Sequence, residues 1–151
     1  MKPTSPESKP YALALVIVQF VSGLLIIYFG SQTTAQLWPM TIVVLGVLVA
    51  LTGVLTMRLG NFRVLPIPKT DAVLVTGGIY GVIRHPMYTG VLLATLGFAL
   101  NDGSPPVMIL WVVLLADLVM KLRYEERLLA ARFPAYEEYR KRTDRLIPFI
   151  W

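Results

Sequence analysis

The stretch YALALVIVQFVSGLLIIYFGSQTTAQLWPMTIVVLGVLVALTGVLTM, Tyr11 to Met57, contains no charged residue. A run of that length is two apolar segments joined by the polar SQTTAQ at residues 31–36. Each segment approaches or exceeds the roughly 18–20 residues that span a bilayer as a helix. The reading places a first span at about Tyr11–Phe29 and a second at about Leu37–Met57. Trp38 opens the second at the depth where indole rings favour the headgroup layer.

Two further uncharged runs follow, Pro86–Leu100 and Gly103–Ala116. They predict a third span at about Pro86–Leu100 and a fourth at Pro106–Leu122 that continues as a helix out of the membrane. The third is short, about 22 Å at 1.5 Å per residue. Two arrangements fit it: burial among neighbouring helices, or a start below the membrane surface. Composition agrees with a membrane chain. The 151 residues are 56% hydrophobic and only 15% charged, against about 25% charged in soluble domains, and mean hydropathy is +0.65. The expected architecture is an all-α integral membrane protein of about four spans. It forms one domain, 1–151, with a cytosolic middle loop and an amphipathic tail, 123–151.

The positions of the cations set orientation. Lys2 and Lys9 precede the first span, and Arg58, Arg63, Lys69 and Arg84 lie between the second and third. The remaining eight fall between Lys121 and Arg145. Neither SQTTAQ nor NDGSPP carries one, so both termini and the middle loop are expected on the cytoplasmic side of the inner membrane. The net charge of +5 then reports topology and attraction to anionic lipid, not nucleic-acid binding. Cysteine is absent and His85 is the single histidine, which excludes thiolate chemistry and a multi-histidine zinc site. The N-terminus lacks a cleavage site and is read as a retained helix.

Three clusters could carry chemistry. In RHPMY, Pro86 suits the first helical turn and places His85 at the edge of the third span. Free N–H groups there can hold a carboxylate or phosphate, with the Arg84 fork beside it; equally, Arg84 and His85 could be interface anchors. Asp117, Lys121 and Glu125 fall at i, i+4 and i+8 on one face of the fourth helix. An acid inside apolar sequence is a functional candidate, or a local Asp117–Lys121 pair easing the helix out of the membrane. The tail FPAYEEYRKRTDRLIPFIW brings Tyr136, Tyr139 and Arg140 to helical spacing, as a surface helix or a lid.

In this order, LVTGGIYGVIRHPMYTG (Leu74–Gly90), EERLL (Glu125–Leu129), FPAYEEY (Phe133–Tyr139) and RLIP (Arg145–Pro148) resemble the isoprenylcysteine carboxyl methyltransferases and the phospholipid methyltransferases related to them. The resemblance covers about Phe62–Pro148. It implies S-adenosylmethionine as methyl donor and S-adenosylhomocysteine as product, in a pocket at the cytosolic membrane face. It implies cofactor contacts from Val73, Leu74, Val75, Tyr80, His85, Pro86, Met87, Tyr88 and Glu125; the anion-binding reading of the helix start adds Arg84, and the approach of a tyrosine face to a cation adds Tyr136. Lys121, Glu125 and Arg140 are expected near the reacting centre. At Lys121 the family often has arginine; lysine keeps the charge and loses the bidentate fork.

Methyl transfer depends on in-line positioning more than on acid–base groups, so the absence of a triad or metal set is no objection. The acceptor is expected to be a lipophilic carboxylate, amine or thiol entering from the bilayer between the third and fourth helices. Two other readings compete. One is a sterol-type reductase using NADPH, and the other is a non-catalytic membrane partner or small transport protein centred on Asp117.

Overall fold

In the computed structural model, which describes residues 8–57, 73–148 and 150, the chain is a bundle of four long helices capped by a short one. These are α1 (Ser8–Ser31), α2 (Leu37–Met57), α3 (Pro86–Asp102), α4 (Pro105–Arg132) and α5 (Tyr136–Lys141), with a 3-10 turn at Gly78–Gly81 before α3. Among the described residues there is no strand beyond an isolated bridge between Ile83 and Asp144. The basic positions Arg58, Arg63 and Lys69, with Lys2 and the first part of the family-like stretch from Phe62, lie outside the described residues.

The elements follow the expected spans closely. A helix closes its own backbone hydrogen bonds, which apolar surroundings require. Three of the helices, Lys9–Ser31, Leu37–Met57 and Pro105–Arg132, are long and apolar enough to cross a membrane. The protein is therefore a multi-pass all-α membrane protein. The outward faces stay apolar, with Leu13, Phe20, Leu24, Leu45, Leu48 and Leu55 all exposed, as suits lipid. The fourth span runs without a break to Arg132.

The short α3 is enclosed by packing. At 17 residues it is buried against its neighbours, and small residues make the approach possible. A Cβ on Gly90 would lie 2.5 Å from the Ala50 nitrogen, and one on Gly97 2.6 Å from the Pro39 carbonyl. On the α1 side, a Cβ at Gly30 would lie 2.5 Å from the Phe98 carbonyl. Gly46 and Gly53 thus pack helices within one chain, as small-residue seams do in membranes. The far side of α3 meets a core of Ile26, Leu92, Ala99, Leu114, Leu118 and Leu122.

The two cation-free loops meet at one end. Asn101 Nδ2 donates to the Gly30 carbonyl at 3.0 Å and to Thr33 Oγ1 at 2.7 Å, while its Oδ1 accepts from the Gln36 N–H at 2.9 Å. Gly103 turns the chain in the left-handed region, φ 73°, its N–H bonding the Ala99 carbonyl at 2.9 Å. Pro105 then starts α4 where no N–H is needed. At the opposite end the C-terminal tail folds back along the entry to α3. Arg84 N–H donates to the Asp144 carbonyl at 2.8 Å, His85 N–H to Arg145 at 3.0 Å and Asp144 N–H to Val82 at 3.0 Å.

Candidate active site

The start of α3 builds the site. His85 is its N-cap and Pro86 its first helical residue, as the RHP spacing predicts. Pro86 drives the preceding residue out of helical geometry, and His85 takes φ −124°, ψ 56°. That turn points the imidazole inward, where His85 is 6% exposed. Its ring stacks on Tyr88, 5.3 Å between centroids and 1° between planes. Tyr88 Oη donates to Glu125 Oε2 at 2.7 Å. Glu125 Oε2 is also 3.9 Å from His85 Nδ1.

One residue further along α4, Glu126 is the hub of an ion cluster. Arg84 Nε donates to its Oε1 at 2.9 Å and Arg145 Nε to its Oε2 at 3.1 Å, and His85 Nε2 stands 3.5 Å away. Arg84 also donates through its η1 nitrogen to the Arg140 carbonyl at 3.1 Å and to both the carbonyl and the hydroxyl of Thr143. The Arg84 fork, expected to face an anion, is instead occupied by Glu126 and the tail. A buried guanidinium with fixed partners is a clamp that holds the tail over the site.

Three polar atoms around this cluster are buried without a hydrogen-bond partner among the described residues: Tyr80 Oη, Tyr136 Oη and His85 Nε2. Buried donors and acceptors are almost always satisfied in a finished protein. Open polar atoms such as these, with both phenols near the Glu125 charge, suit a polar ligand. Burial pushes the Tyr80 and Tyr136 phenols well above the ordinary tyrosine value, with the charge of a neighbouring glutamate adding to it. Both remain neutral donors at neutral pH. The Tyr139 phenol is not open, since it donates to the Tyr80 carbonyl at 2.7 Å.

Of the other expected contacts, Pro86 is fully buried, while Met87 is half-buried and backs onto α2 near Gly53. Val73, Leu74 and Val75 lie in the irregular segment leading to the 3-10 turn, Val73 being exposed. Lys121 is buried, with 1% exposure. Its ammonium donates to Gln19 Oε1 of α1 and lies 5.3 Å from the centre of the Tyr88 ring. Arg140 departs from expectation. Tyr136 and Tyr139 take the inward face of the short α5, so the Arg140 side chain turns out and pairs with Glu137 at 2.8 Å. Only its backbone carbonyl reaches the cluster. The tail tyrosines thus pack on protein rather than on lipid.

Glu126, Gln19 and Thr143 were not singled out from the sequence. Glu126 had a signal: the buried positions Leu114, Leu118 and Leu122 recur every four residues, and the next is 126. An acid continuing an apolar stripe is a buried acid. Gln19 had none, because its partner lies 102 residues away.

Taken together, the arrangement can hold a polar ligand at the start of α3 beneath the tail. It also places one ammonium on the membrane side of that ligand. Among the described residues no group of metal-ligating side chains is present. The family model for phospholipid methyltransferases matches residues 34–135. The chain is 29% identical to protein-S-isoprenylcysteine O-methyltransferase B of Arabidopsis thaliana over 95% of its own length and 76% of the relative's. It is 31% identical to the cobalt-zinc-cadmium resistance protein CzcN of Cupriavidus metallidurans, over 88% of this chain and 61% of that one. With the protein-S-isoprenylcysteine O-methyltransferase of Schizosaccharomyces pombe it shares 37% identity over 53% of this chain and 35% of the relative.

Proposed function

Because this chain belongs to the phospholipid methyltransferase family and is a membrane methyltransferase, we propose that it transfers a methyl group from S-adenosylmethionine to a lipophilic acceptor at the cytosolic face of the membrane. The observation that carries the reading is the pair of open buried phenols, Tyr80 Oη and Tyr136 Oη, both near the Glu125 charge and so beside the Tyr88–Glu125 pair. S-adenosylmethionine brings carboxylate, ammonium, ribose hydroxyls and adenine, a set of polar groups that needs such a mixture of donors and acceptors. It supplies an electrophilic methyl group on a sulfonium.

The chain's own residues do the positioning. The neutral phenols of Tyr80 and Tyr136 donate, and the Glu125 carboxylate accepts from hydroxyl or ammonium groups. The Tyr88 ring, stacked on His85 and beneath the Lys121 ammonium, uses its π face to hold that ammonium and its hydroxyl to fix Glu125. The Val73–Val75 segment lends backbone groups at the rim. Arg84 and Glu126 tie the tail down and exclude water. Lys121, on the membrane side, meets the acceptor head as it arrives between α3 and α4. Holding donor and acceptor in line supplies the larger part of such a barrier reduction, up to about 7–11 kcal/mol in well-oriented systems. In this reading both termini face the cytosol, as the distribution of Lys and Arg indicates.

The test is isothermal titration of the detergent-purified protein with S-adenosylhomocysteine, wild type beside Glu125→Ala. Binding in the micromolar range that the variant loses supports the assignment. A folded wild type that takes up no heat overturns it.

A further inference from the structure

A second surface, which shares Glu126 and Arg145 with the buried cluster and opens outward from it, lies where α4 leaves the membrane. A groove of about 620 Å³ is lined by Arg123, Arg127, Arg140, Arg145, Glu126 and Glu137. Its two acids are committed: Glu126 to Arg84 and Arg145, Glu137 to Arg140. Arg123 and Arg127 are exposed, four residues apart on one side of the helix, and neither has an acidic partner among the described residues. Arg127 spends its Nε on the Arg123 carbonyl at 3.2 Å, and the residue stays exposed.

The same face of α4 continues into the membrane. Ile109, Val113, Ala116 and Met120 succeed one another at spacings of three and four and are all exposed. Arg123 and Arg127 are the next two positions of that stripe. At 1.5 Å per residue the apolar part from Ile109 to Met120 measures about 16 Å, about half the hydrocarbon thickness of a bilayer. One side of one helix therefore offers an acyl-chain track that ends at two guanidinium forks. A soluble anion would use only the forks; a lipid uses both.

We propose that this face holds an anionic phospholipid, its phosphodiester between Arg123 and Arg127 at the mouth of the groove and an acyl chain along Ile109, Val113 and Met120. A zwitterionic lipid is disfavoured, because its ammonium would face guanidiniums and find both acids already paired. Guanidinium suits the phosphodiester by its fork geometry, and a lysine or arginine near an anionic membrane surface contributes a factor of about five in binding.

The experiment is native mass spectrometry of the full chain released from nanodiscs of equal phosphatidylglycerol and phosphatidylcholine. Wild type is expected to retain phosphatidylglycerol preferentially, and Arg123→Gln/Arg127→Gln to lose that preference by roughly twenty-five-fold, two such factors. Lys141→Gln/Arg142→Gln removes the same charge outside the groove and is expected to retain it. Unchanged binding of S-adenosylhomocysteine by both doubles serves as the fold check, with retained helical circular dichroism as the second. Equal retention of the two lipids, equal loss in both doubles, or displacement of the lipid by inorganic phosphate at matched ionic strength would each overturn the proposal. The last would leave a site for a soluble anion.

Discussion

The Tyr88 hydroxyl donates to the Glu125 carboxylate at 2.7 Å, and that bond joins the first turn of α3 to the C-terminal half of α4. Thirty-seven residues separate the partners, so neither helix builds the site alone. If the pair holds the methyl donor, Tyr88→Phe should weaken S-adenosylhomocysteine binding about tenfold, one charge-assisted hydrogen bond. Glu125→Ala should weaken it by a further order of magnitude or more. Titration calorimetry reads both, and equal affinities across the three proteins would place the ligand elsewhere.

Glu126 has a different task and a different signature. Arg84 and Glu126 are both about one-fifteenth exposed in their side chains, so truncation to alanine strands a buried guanidinium. Glu126→Ala should cost roughly 3–5 kcal/mol of stability. Glu126→Gln, which keeps the shape and part of the hydrogen bonding, should cost less. Thermal unfolding in detergent, followed by circular dichroism, distinguishes them. A Glu126→Ala protein as stable as wild type would contradict the clamp.

Lys121 separates donor binding from transfer. Its ammonium lies between Gln19 and the Tyr88 ring, on the membrane side of the cluster. Lys121→Met should leave S-adenosylhomocysteine affinity within a few-fold of wild type and reduce methyl incorporation at least tenfold, the loss of one charged contact to the acceptor. Radiolabel transfer into extracted membrane lipids and small lipophilic acceptors measures the second quantity. Parallel losses in both would make Lys121 part of the donor pocket instead.

The α2–α3 seam tolerates no added volume. Gly90→Ala puts a methyl group 2.5 Å from the Ala50 nitrogen and should cost about 1–3 kcal/mol by overpacking. Gly23 has nothing within 4 Å of the same position. Gly23→Ala should therefore be neutral or raise stability, by up to about 1 kcal/mol of helix propensity. The two variants compared by thermal unfolding test the seam against the general effect of alanine in a helix.

The tail should loosen in alkali. Burial pushes the Tyr139 phenol up to about 12, against the lowering pull of Arg84 and a hydrogen bond involving Thr143. A group whose folded value lies above its free value of about 10 stabilises fully below pH 10. That contribution is lost as pH rises through 12. Proteolysis of the tail should accelerate over this window together with tyrosinate absorbance at the Tyr139 site. Tyr139→Phe, which also removes the bond to the Tyr80 carbonyl, should abolish that part of the pH dependence and loosen the tail by about 1 kcal/mol at neutral pH.

Helix type and position were legible because lipid imposes a simple demand. Every backbone group must bond within its own segment, so apolar length alone marks a span, and α2 coincides with the expected Leu37–Met57. The Pro86 signal was equally local, since proline constrains its own φ and its predecessor, and His85 is the N-cap it predicted. The Asp117–Lys121–Glu125 spacing correctly indicated a common face, with Asp117 and Lys121 both buried.

Side-chain partners were legible only where they are neighbours in sequence. Arg84 and Arg140 both looked like ligand-facing cations, and nothing in their local sequence says that Arg84 is Glu126's companion and Arg140 is not. Once the tail lies along residues 82–85, Arg84 is enclosed by Glu126 and Thr143. The inward face of α5 is then filled by Tyr136 and Tyr139, and Arg140 has no side left but the outer one. Primary structure carries periodicity and backbone restriction, which act over a few residues. Which cation finds which acid depends on long-range burial, where an unmatched charge costs several kcal/mol, and only the three-dimensional packing selects the pairing.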